Sequence, residues 1–89
     1  MIATIDISMY ALSDDYSKQI VGFIQRIKQH KNIRVEVNGM STQLFGEYDV
    51  LMDILKAEMR NDFEKGKSVF ILKIVGAERT REKLPEILK

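Results

Sequence analysis

The apolar and polar positions of this chain repeat with two different periods, and the switches between them mark out its elements. From Ile2 to Tyr10 the period is two, with Ala3, Ile5, Ile7 and Met9 on one side and Thr4, Asp6, Ser8 and Tyr10 on the other. That is a strand with one covered face. From Tyr16 the spacing becomes helical: Tyr16, Ile20, Phe23, Ile24 and Ile27 form one stripe, and Lys18, Gln25, Arg26 and Lys28 lie off it. Ser13 stands where an N-cap belongs, and Asp14 and Asp15 follow where negative charge complements the helix dipole. The helix is expected from about Asp14 to His30, with Lys28, His30 and Lys31 at its negative pole and Asn32 closing it in the left-handed conformation.

Ile33 to Val37 and Met40 to Phe45 are two further alternating runs joined by Asn38-Gly39. Asn-Gly between such runs predicts a two-residue type I′ hairpin turn. That turn sets Val37 opposite Met40, Val35 opposite Thr42 and Ile33 opposite Leu44. One face of the hairpin is then almost wholly apolar, and the other carries Arg34, Glu36, Ser41 and Gln43. Thr42 is the single polar side chain on the covered side, where β-branching alone already suits it to a strand.

A second helix begins near Glu47, with Tyr48, Leu51, Met52, Leu55, Met59 and Phe63 as its apolar positions and Gly66 as its stop. Met52 and Met59 read as gap-filling core. Ser68 to Val75 is a dense β-branched and aromatic run interrupted only by Lys73, the signature of a strand near the middle of a sheet. The tail from Glu78 to Lys89 has Thr80 as a cap for a short helix, but Pro85 would break or kink it.

The order strand, helix, strand, strand, helix, strand, tail predicts an α+β fold, the ferredoxin-like βαββαβ sandwich. This is a four-stranded antiparallel sheet with both helices on one face, plus a short C-terminal tail helix. The right-handed crossover rule puts the first and third strands in the centre. Ser8 to Tyr10, Asp14 and Asp15, Met40 to Thr42, and Lys67 and Ser68 then meet at one edge.

Composition narrows the function classes. At 89 residues the chain reads as one ferredoxin-like domain spanning 1–89. With no cysteine there is no disulfide framework or thiolate nucleophile, and a single histidine, His30, excludes a histidine-cluster metal site within the chain. Fourteen basic and thirteen acidic side chains are interspersed and leave a charge of +1, so a nucleic-acid binder is not expected. There is no signal-peptide pattern and no run approaching the ~18 apolar residues of a membrane span. A soluble cytoplasmic protein is the expectation.

The predicted edge gathers two carboxylates (Asp14, Asp15), two hydroxyls (Ser41, Thr42), the Tyr10 phenol and the soft Met9 side chain. These suit a small, flat, partly cationic ligand, though each also has an ordinary structural explanation. Enzyme chemistry is not expected: the only histidine lies far from this edge, and there is no phosphate loop or nucleophile elbow. The loop Ala11-Leu12-Ser13-Asp14-Asp15 has the wrong charge for phosphate. An RNA-recognition sheet would need aromatics where this one offers Asp6, Ser8, Ser41 and Gln43.

Ile7-Ser8-Met9-Tyr10-Ala11-Leu12-Ser13-Asp14-Asp15-Tyr16, followed by Met40-Ser41-Thr42-Gln43-Leu44-Phe45-Gly46-Glu47-Tyr48-Asp49, resembles the YkoF-like thiamine-binding family. The Ser-Thr-x-Leu-x-Gly strand before the second helix is the most specific part of the likeness. The resemblance implies a domain that binds thiamine or its hydroxymethylpyrimidine part without catalysis or other cofactor, in vitamin uptake or salvage. Its binding positions fall on Asp15, Ser41 and Thr42, with Asp14 and Tyr10 beside them. Two departures stand out: Ala11 replaces a frequent proline, and relatives often carry two such domains in one chain. The alternative reading is an oligomeric structural or regulatory module with a different ligand or none. An uncovered sheet face and a free strand edge point in either case to a homodimer or a dimer of dimers.

Overall fold

A computed structural model of the chain describes residues 1–80 and 84–89. Its elements run β1 (Ile2–Ala11), α1 (Tyr16–Lys28), β2 (Arg34–Val37), β3 (Thr42–Glu47), α2 (Tyr48–Lys65) and β4 (Ser68–Val75), followed by a single 3-10 turn (Glu86–Leu88). All pairings in the sheet are antiparallel and its order is β2-β3-β1-β4, the ferredoxin-like arrangement expected from the element order.

The period-two faces sort as the sequence pattern requires. Ala3, Ile5 and Ile7 of β1 and Leu44 of β3 are buried under Phe23 and Ile27 of α1 and Leu51, Ile54 and Leu55 of α2. Each fully buried Ile, Leu or Phe among these contributes about 1.5–3 kcal/mol relative to exposure. No helix among the described residues is long and apolar enough to cross a membrane.

Five local expectations are corrected. First, α1 starts two residues later than expected: its N-cap is Asp15, not Ser13, and the Ser13 hydroxyl instead donates to Gln19 Oε1 at 3.2 Å. Asp14 and Asp15 thus precede the first turn rather than occupying it. Second, the helix closes through Gln29 in right-handed geometry, and among the described residues none adopts the left-handed region, Asn32 included.

Third, the hairpin turn is not of the mirror type. The Asn38 Oδ1 accepts from the N–H groups of both Met40 and Ser41, at 2.8 and 3.1 Å, so a side chain supplies the turn's acceptor and no positive φ is needed. The loop is thereby Asn38 to Ser41, and Val37 pairs with Thr42 and Val35 with Leu44. This register differs by two residues from the expected one, which preserves every face. Met40 leaves the ladder and is 89% exposed.

Fourth, β4 is an edge strand, not a central one. Topology overrides composition here, because placing β1 and β3 centrally leaves β4 only the margin. Fifth, the tail forms one 3-10 turn after Pro85; the part of the expected helix at 81–83 lies outside the described residues. Ahead of this turn the tail crosses the uncovered face. The Thr4 hydroxyl donates to the Ala77 carbonyl and accepts from the Arg79 N–H, both at 2.8 Å, which explains why a threonine on that face is buried. Beside it, Arg34 stacks 4.1 Å from the Phe45 ring centre and keeps that ring from water.

Candidate functional site

The site arises from a mismatch in strand length. β1 pairs with β4 as far as Ala11, opposite Ser68, but with β3 only as far as Ile7, opposite Thr42. Beyond Ile7 the hairpin loop turns away and leaves a notch beside β1. A pocket of ≈ 200 Å³ fills it. Ser8, Met9 and Tyr10 form one wall, residues 38–42 the facing wall, and Ile20, Phe23 and Ile24 of α1 an apolar floor.

Thr42 lies at the inner corner of this pocket and is 6% exposed. Its hydroxyl makes no hydrogen bond to any described residue, and it is not among the side-chain atoms wholly shut off from solvent without a partner, which are Gln19 Nε2, Asp62 Oδ1 and Ser68 Oγ among the described residues. Ser41 differs. Its hydroxyl donates to Asp6 Oδ1 on the uncovered face, and Gln43 Nε2 donates to the same oxygen at 3.0 Å and to the Ser41 oxygen at 2.7 Å. The Asn38 amide extends this chain to Gln43 Oε1 at 3.1 Å. The hydrogen bonds from Ser41 and then Gln43, with Lys73 nearby, hold the Asp6 carboxyl below its ordinary value despite partial burial. Of the two hydroxyls on the facing wall, Ser41 is thus committed and braced by a carboxylate, and Thr42 is uncommitted.

Of the residues expected at the site, Tyr10, Ser41 and Thr42 come together here. Asp14 and Asp15 do not border the pocket. Asp15 lines a separate groove on the outer side of the helices, along with Gln19, Arg26 and Asp62, because the later start of α1 leaves the acidic pair in the turn ahead of it. Asp6 joins the cluster through its place opposite Gln43, a pairing that strand alternation leaves open because it fixes faces and not partners.

A second polar cluster ties α1 to α2. Arg26 donates through Nε to Glu58 at 2.8 Å and through an Nη to the fully buried Asp62, while His30 meets the other Glu58 oxygen at 3.0 Å. Burial pushes the Glu58 carboxyl up, but the bonds from His30 and Arg26 outweigh it and hold the group below its ordinary value. The sequence signal was present: Asp62 falls seven residues after Leu55, on the apolar stripe of α2. Among the described residues, no three His, Cys, Asp or Glu side chains gather as a metal ion would require.

No protein-family model matches the chain, and no curated protein matches it. Solved structures do. Protein SP2199 from Streptococcus pneumoniae superposes with a TM-score of 0.81 at 25% identity, covering 99% of this chain and 98% of that one. A domain of unknown function, DUF77, from Bacillus cereus matches with a TM-score of 0.72 at 27% identity, over 94% of this chain and 88% of its own. A protein from Thermotoga maritima, TM0486, described as a "putative thiamine biosynthesis/salvage protein", matches with a TM-score of 0.81 at 22% identity, over 94% of this chain and 96% of its own. The chain shares its fold, over nearly its whole length, with these proteins.

Proposed function

We propose that this chain is a non-catalytic binding protein for thiamine or its hydroxymethylpyrimidine part, taken up in the notch beside β1 for vitamin uptake or salvage. The observation that carries this reading is the Thr42 hydroxyl, set in a largely apolar pocket without a protein partner. The likeness of fold to a protein described in terms of thiamine biosynthesis or salvage supports it. Size refines it. At ≈ 200 Å³ the pocket is smaller than the ~300–1,000 Å³ of sites for drug-sized ligands, so one ring enters and the remainder of a larger ligand stays at the mouth. Met9 and Phe23 then contact the ring, and Tyr10 stands beside the part left outside. Calorimetric titration of thiamine and of 4-amino-5-hydroxymethyl-2-methylpyrimidine tests the proposal. Saturable one-site binding that Thr42→Val weakens tenfold or more is expected; no heat from either compound refutes it.

A second reading, an assembly module whose pocket is secondary, is favoured by the edge strand β4. Val69, Ile71 and Val75 lie exposed along its uncovered face, with Ile71 at 56%. Edge strands normally carry charge there, and this one has only Lys73. On this reading a homodimer or dimer of dimers covers the strand. A monomer mass by light scattering across micromolar concentrations rejects it.

A further inference from the structure

Pairing fixes where each backbone group of β1 points. The Leu12 N–H donates to the Lys67 carbonyl at 2.9 Å, on the β4 side. At the other end of the strand the Met1 carbonyl accepts from the Tyr48 N–H at 2.8 Å, on the β3 side. Backbone groups alternate sides along an unbulged strand, and neither ladder of β1 skips a residue. Even-numbered residues therefore address β4, and odd-numbered residues address β3. The last odd-numbered residue that β3 reaches is Ile7. Met9 lies one step beyond, and its N–H and C=O face the notch.

Continuing the ladder would set Met9 opposite Met40. That partner has been withdrawn: the Met40 N–H is held by Asn38 Oδ1 at 2.8 Å, and the loop bends out. Outside the ladders, no backbone hydrogen bond to Met9 is made by any described residue. Both of its backbone groups stand unpartnered at a pocket whose floor is apolar, beside the uncommitted hydroxyl of Thr42.

We propose that the Met9 N–H and C=O recognise the ligand by acting as a strand toward it, reading an edge on which an acceptor lies next to a donor. One residue of an antiparallel strand presents its N–H and C=O side by side to a single neighbour. The matching edge is that of a 4-aminopyrimidine: a ring nitrogen accepts from the N–H, and the adjacent exocyclic amino group donates to the C=O. The ring occupies the position that the next residue of β3 would have filled, with the aliphatic and aromatic side chains of α1 beneath it. This inference deepens the proposed function and rests on it, but it assigns recognition to backbone that no side-chain motif encodes. It also sets specificity: the ring is selected by its amidine-like edge and not by its charge.

Amide-resolved hydrogen exchange by NMR on the full chain tests it, with 4-amino-5-hydroxymethyl-2-methylpyrimidine as the probe and its 4-dimethylamino analogue as the control. At saturation the Met9 amide, unprotected in the free protein, exchanges at least tenfold more slowly, Ala3 and Ile5 slow only as binding stabilises the whole fold, and the analogue binds at least tenfold more weakly. Thr42→Val lowers the affinity for the probe but leaves Met9 protected once saturated. Binding of the probe with Met9 exchange unmoved, or equal binding of the analogue, overturns strand-edge recognition and leaves the proposed function standing. Protection of Met9 by an extended peptide alone overturns it in favour of strand addition. No saturable response to the probe or to thiamine overturns both readings.

Discussion

Ile7 and Thr42 form the last pair of the β1–β3 ladder, and their side chains share the covered face, one wholly apolar and one carrying a hydroxyl. Because that hydroxyl bonds no described residue, folding gains nothing from it. Thr42→Val is predicted to leave the stability of the free protein within about 0.5 kcal/mol, or to raise it. A hydroxyl that bonded the backbone would instead cost about 0.5–1.5 kcal/mol on removal. Urea unfolding of the variant separates the two cases.

The Arg26–Asp62 pair makes the opposite prediction. Asp62 is fully buried, and one of its oxygens already lacks a partner. Asp62→Ala leaves the Arg26 guanidinium with Glu58 as its remaining carboxylate partner and is expected to cost about 1.5–3 kcal/mol. Replacing both residues, Arg26→Met with Asp62→Leu, is expected to cost far less than the single change. A double-mutant cycle in urea that shows simple additivity would contradict this account.

Acid stability depends on Asp6 and Glu58. Both carboxyls are held below their ordinary values of 3.8 and 4.5 in the folded chain. Between the folded and unfolded values the unfolded chain binds more protons, so stability rises with pH there. The contribution of each group is complete above its ordinary value and is lost as pH falls through its lower folded value. Asp6→Asn is predicted to make the loss of stability below about pH 4 shallower while changing the neutral-pH slope little. Melting curves from pH 2 to 7 for both proteins give the comparison.

The Asn38 side chain carries the hairpin turn through two backbone N–H groups, Met40 and Ser41. Asn38→Ala removes both bonds and is expected to cost about 1–2 kcal/mol. Because the loop also walls the pocket, ligand affinity falls with it. Asn38→Asp retains the acceptor oxygen and is expected to recover most of the loss, which thermal unfolding with and without ligand reads directly.

Strand alternation made much of this architecture legible in advance. It assigned Ala3, Ile5, Ile7 and Leu44 to the core and Thr42 to the covered face, and those assignments survive a register displaced by two residues. The turn departs from expectation because Asn38-Gly39 signals a mirror turn through backbone preference, whereas the Asn38 carboxamide offers a competing local acceptor. β4 departs from expectation because apolar residues on both faces mark a central strand only when another layer or strand covers them. The crossover rule and the family resemblance set Asp14 and Asp15 at this edge, and the start of α1 at Tyr16 leaves both outside the pocket; Asp6 and Asp62 are hard to read from sequence because carboxylates in regular elements ordinarily face solvent. The free backbone of Met9 was not readable at all, since it depends on where two ladders end.

The double hydrogen bond of Thr4 has a practical consequence. It clasps residues 77 and 79 against the start of β1, at the pole of the sheet away from the notch. Thr4 and Met9 are separated along the strand by roughly 17 Å at ~3.3 Å per residue. A dye, a resin or a fused reporter joined ahead of Ile2 therefore hangs from the far pole and leaves the notch unobstructed. A sensor built on this chain would have its anchor and its reading head at opposite ends of a single strand.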